Sequence, residues 1–71
     1  MSPAGHSLTE AELAVLLAAA DGQSMRDHAA ELGLPAHTIK WRQRRVLAKL
    51  EARTIAQAIA NAYHQRILLV P

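Results

Sequence analysis

Two internal glycines constrain this chain more than any other feature. Asp21-Gly22 is followed by Ser24, and Gly33 is followed by Leu34-Pro35. Glycine tolerates the left-handed conformation in which helices commonly end, a serine side chain caps a helix start, and proline opens a helix but cannot prolong one. Between the two stops only a helix of barely two turns fits, from about Met25 to Leu32, with Asp27 in its first turn against the helix dipole. A short helix that meets the next one across a tight glycine turn is the local signature of a helix-turn-helix.

The flanking segments read as helices too. Upstream, Thr9 with Glu12 three residues later is a capping box, and Leu8 and Leu13 are placed as a hydrophobic staple across it. Leu13, Leu16, Leu17 and Ala20 recur at helical spacing and are expected in the core. Downstream, a third helix runs from about Ala36 to Leu50. At about 100° per residue, with Ile39 at zero, Gln43, Val46 and Leu50 fall within about 40° and form the buried stripe. Lys40, Arg44, His37 and Trp41 fall at about 100°, 140°, 160° and 200°, one continuous face opposite that stripe, so the tryptophan among these cations is expected to be exposed. Thr54 caps a fourth helix, Ile55 to about Arg66, with Ile55, Ala58, Ile59 and Ala62 inward. Ala56, Ala60 and Tyr63 form a second stripe of mostly small residues that lets another helix approach closely, and a homodimer interface is one explanation of it. The apolar tail Ile67-Leu68-Leu69-Val70 either folds back on the core or joins that interface. Residues 1–7 lack periodicity and are expected to be a disordered tail, with the domain spanning 8–71. The fold class is all-α, a four-helix bundle with a central helix-turn-helix.

Composition bounds the function. With 71 residues there is room for one domain, which buries only about 60% of the surface of its unfolded chain. The hydrophobic fraction is 51%, much of it alanine and none of it Phe, which suits close helix packing filled by Leu, Ile and Val. Without cysteine there is no disulfide, thiolate metal site or Cys nucleophile, consistent with a reducing compartment, and a cytoplasmic location is expected. No secretory signal is present in residues 1–7, and no apolar run approaches the roughly 20 residues of a membrane helix. His6, His28, His37 and His64 include no i, i+4 pair, so no metal site is expected. Thr9, Ser24 and Thr38 are explained by caps and turn contacts, no catalytic constellation can be assembled, and the isolated glycines form no phosphate loop. An enzyme and a bound cofactor are therefore not expected.

The net charge is only +2, but six of the eight Lys and Arg lie between positions 40 and 53, opposed there by Glu51 alone, while five of the six acids precede residue 32. One side of the molecule should be acidic. The other is either a solvated basic face or a surface for a polyanion.

From Leu8 to Leu69 the chain resembles the LuxR-type (GerE-like) DNA-binding domain of bacterial transcription regulators. The likeness runs through Leu8-Thr9 and Glu12, Ala20 to Ser24, and Ala29 to Leu34. It is most specific in Thr38-Ile39-Lys40-Trp41, Arg44, Val46 to Leu50, Arg53 and Gln57-Ala58-Ile59, which keep the family's order and spacing without a gap. The resemblance implies a recognition helix at about 36–50 in the major groove of double-stranded DNA, with Lys40, Trp41, Arg44 and His37 facing the bases. Arg44 would fork onto guanine O6 and N7, Lys40 would donate to guanine or phosphate, and Trp41 would contact a thymine methyl or sugar. Arg26, Thr38, Arg45, Lys49 and Arg53 would anchor phosphates.

The departures from the family are specific. His28 and Gln43 stand where the family usually has buried aliphatics, Glu51 replaces a common Gly, and Ile55-Ala56 replaces a polar pair, so expected backbone contacts are lost. A hydrogen bond between His28 and Gln43 across the second and third helices would satisfy both groups. Two functions follow: a sequence-specific transcription regulator acting as a homodimer, or a protein-interaction module that binds a transcription factor or RNA polymerase through Trp41 and Arg44. The 71 residues leave no room for a receiver or ligand-binding domain before the motif, so a signal is expected from expression level, a partner or a longer parent chain.

Overall fold

The computed structural model describes residues 8–69; the tail expected at 1–7 and the last residue of the apolar run, Val70, lie outside them. Four helices follow in order: α1 (Glu10–Ala20), α2 (Met25–Leu32), α3 (Ala36–Lys49) and α4 (Ile55–His64), with no strand among the described residues. The all-α helix-turn-helix architecture is thus as the sequence predicts. The capping box closes in both directions, Glu12 N–H donating to Thr9 Oγ1 at 3.1 Å and Thr9 N–H to Glu12 Oε1 at 2.9 Å. Ser24 and Thr54 cap α2 and α4 by accepting from Asp27 N–H and Gln57 N–H.

All four helices end in one way. A residue with positive φ follows the last turn, and the next N–H reaches back to a carbonyl five positions earlier: Gln23 to Ala18, Leu34 to Ala29, Ala52 to Leu47 and Ile67 to Ala62. The left-handed residue is Gly22 and Gly33 in the first two helices, but Glu51 (φ 53°) and Arg66 (φ 60°) in the last two. This explains one difference from the sequence reading. The fourth helix stops at His64 rather than near Arg66, because the chain reverses there and buries Leu68, which is 5% exposed. The tail therefore folds back through Leu68, while Leu69 remains exposed.

The core has two parts. The larger gathers Leu16, Val46, Leu50, Ala58, Ala62 and Leu68, with Leu8, Leu13, Ile55 and Ile59 packed around it. The smaller, beneath the helix-turn-helix, is Val15, Ala29 and Ile39 with Leu34. The inward stripe of α1 is rotated from expectation: Glu12, Val15 and Leu16 are buried, Leu13 is half-buried, and Leu17 and Ala20 are exposed. In a helix apolar nearly all round, periodicity carries little direction, and the cations that meet Glu12 are far away in sequence. The expected His28–Gln43 hydrogen bond is not formed. His28 is buried, both of its ring nitrogens are without a partner among the described residues, and both side chains instead line a partly open cavity of about 250 Å³.

Candidate nucleic-acid interface

The third helix is positioned from three sides. Ile39 packs on α1 and α2 residues, Val46 and Leu50 pack into the larger core, and Asn61 Nδ2 on α4 donates to the Leu50 carbonyl at 2.9 Å, closing the α3 C-terminus. Arg53 N–H donates to Gln57 Oε1 at 2.8 Å, which fixes the connection into α4. With one face of α3 held in this way, the opposite face is necessarily outward. His37, Lys40, Trp41 and Arg44 are all exposed, Trp41 at 58%. Trp41 belongs to neither part of the core and leaves more than half of its surface in water among cations.

The expected phosphate contacts are distributed around this ridge. Arg26 is exposed in the first turn of α2, Arg53 is exposed between α3 and α4, and Thr38 is half-buried in the first turn of α3. Arg45 and Lys49 differ from these. Both turn from the ridge toward α1 and meet one carboxylate: Arg45 Nε donates to Glu12 Oε2 at 2.9 Å and Lys49 Nζ to Glu12 Oε1 at 2.6 Å. The Glu12 side chain is only 4% exposed, whereas that of Arg45 is 48% exposed and that of Lys49 21%. Burial by itself would raise the Glu12 carboxyl, but hydrogen bonds from Lys49, the Thr9 backbone and Arg45 outweigh it and bring its pKa from 4.5 down to about 2. The acid is ionised at any physiological pH and neutralises one of the two charges beside it.

Glu12, Gln57 and Asn61 are thus parts of the site that sequence reasoning missed or read incompletely. The capping box accounted for one bond of Glu12. The missing signal was on the wheel of α3, where Arg45 and Lys49, at about 240° and 280°, flank the buried stripe on the side away from Lys40. Of the expected dimer stripe, Ala56, Ala60 and Tyr63 are all exposed on α4.

Compared with known proteins, residues 6–62 match the family described as bacterial regulatory proteins, luxR family (GerE). No curated protein and no solved structure matches the chain.

Proposed function

Because the chain belongs to the luxR family of bacterial regulatory proteins, whose domain binds DNA, we propose that it is a sequence-specific transcription regulator that lays α3 in the major groove. The observation that supports this reading best is the exposure of His37, Lys40, Trp41 and Arg44 on the one face of α3 that the core leaves outward. Arg44 has the fork geometry to pair with guanine O6 and N7, Lys40 donates to guanine or phosphate, and Trp41 lies against a thymine methyl or sugar. Arg26, Thr38, Arg45 and Arg53 hold the backbone on either side and set register without reading sequence. A homodimer through Ala56, Ala60 and Tyr63 presents two such helices to half-sites about one helical turn apart.

Selection of bound duplexes from a random pool tests the reading. A short enriched site with two-fold symmetry is expected. Arg44→Ala should relax the preference at one base pair per half-site by about 1–3 kcal/mol, while Arg53→Ala should weaken all duplexes alike. Trp41 and Arg44 are also residue types that anchor protein partners. Enrichment of no site, with no salt-sensitive duplex binding, would favour that second reading.

A further inference from the structure

We propose that Glu12 sets how many cations of α3 are offered to DNA: it withholds Lys49 and holds Arg45 in place as a phosphate clamp. The inference rests on the DNA-binding reading above and concerns which charges take part in it. Three observations carry it. The carboxylate is buried, and both of its oxygens are engaged, Oε1 by Lys49 Nζ and Thr9 N–H and Oε2 by Arg45 Nε. Lys49 is mostly covered and sits about 130° round α3 from the centre of the exposed ridge, with its ammonium held on the α1 side by Glu12 at 2.6 Å. Arg45 is about 90° from that centre, on the flank where a groove wall passes, and half of its side chain is in water.

The Arg45 contact explains the division of labour. Glu12 engages only Nε, and the terminal Nη groups of Arg45 make no hydrogen bond within the described residues. A guanidinium fixed by one edge has already lost rotamer freedom, so its other donors meet a phosphate oxygen at less entropic cost than a free side chain would. Lys49 carries its whole charge on one compact ammonium, so holding that nitrogen against α1 holds the charge there. The same carboxylate therefore orients one cation and retires the other, and Glu12 is a positioning residue that tunes the electrostatic part of affinity.

The slope of log K against log salt, measured on one duplex in the full chain, reads this directly, because each phosphate neutralised contributes about 0.9 to the slope. Glu12→Gln keeps the size of the side chain, removes the negative charge that draws Lys49 to α1, and should steepen the slope by about one contact, so that about 3.5-fold more affinity is lost between about 50 and 200 mM salt. The increment should vanish in the double variant Glu12→Gln with Lys49→Met. Arg45→Ala with Glu12 intact should flatten the slope by about 0.9. A purely structural Glu12 would lower thermal stability without steepening the slope. If Glu12→Gln does not fold, Lys49→Met in the native background remains decisive: a flattening by about 0.9 there overturns the proposal, as does an unchanged slope in folded Glu12→Gln. Absence of any salt-dependent duplex binding by the native chain would instead overturn the DNA-binding reading itself.

Discussion

The two parts of the core are built to different standards. In the larger one, where α1, the C-terminal half of α3 and α4 converge, Leu16, Val46, Ala58 and Ala62 are sealed from solvent, and the buried carboxylate of Glu12 on α1 is paired with Arg45 and Lys49 of α3. The smaller one, beneath the helix-turn-helix, has three buried apolar residues, a buried histidine without a hydrogen-bond partner among the described residues, and an adjoining cavity. Stability should therefore reside in the half that carries α4, while the half that orients the start of the recognition helix is held more weakly. That is the distribution expected where an element must adjust to a ligand.

Four substitutions probe this contrast. Leu16→Ala should have the largest effect, a loss of about 3 kcal/mol from a lost side chain and a poorly collapsing cavity. In a domain this small that approaches the whole stability, so urea unfolding should show a chain largely unfolded without denaturant. Loss of less than about 1 kcal/mol would mean that the larger core is not the anchor.

Glu12→Gln should follow, at about 2 kcal/mol near neutral pH, because two cations lose a buried partner. Its pH dependence has a definite sign. The carboxyl is depressed from 4.5 to about 2 in the folded chain, so its contribution is fully present above about 4.5 and fades as pH falls toward 2. Urea midpoints of the native chain and the variant should differ most above pH 5 and converge by about pH 2. A constant gap across that range would show that the ion pairs contribute nothing.

In the opposite direction, His28→Leu should stabilise by about 1–2 kcal/mol, since it removes buried ring nitrogens that have no partner and keeps a comparable volume. Calorimetry would register a higher melting temperature; a lower one would mean that the smaller core depends on the imidazole. The smallest effect is expected from Glu51→Gly. Its φ of 53° is strained for a side chain and natural for glycine, and a gain of about 0.5–1 kcal/mol should remain after the extra entropy of the unfolded glycine chain. An unchanged or lowered urea midpoint would argue that Glu51 makes up for its backbone elsewhere.

The legibility of the sequence follows the same physics. Helix starts could be read because Thr9, Ser24, Pro35 and Thr54 are all residues whose chemistry opens a helix, and each occupies that position in the structure. Helix ends were announced by a glycine at Gly22 and Gly33, and the end of α3 near Leu50 by the last residue of its apolar stripe. At Arg66 the same turn is imposed by the burial of Leu68, which no local signal announces. The outward face of α3 was plain because Ile39, Val46 and Leu50 break a charged helix at regular spacing, whereas α1 offered apolar residues on every side. A buried Glu12 could not be inferred from its neighbours, since its partners lie 33 and 37 positions away.

The exposed face of α3 is tested most directly by its tryptophan, the only one in the chain. Emission of Trp41 and its quenching by iodide should be measured as a selected duplex is added at low and at high salt. Contact with DNA predicts altered emission and protection from iodide at low salt, both reversed as salt displaces the complex. Emission and quenching that stay constant while the duplex is demonstrably bound would contradict the placement of this helix in the groove.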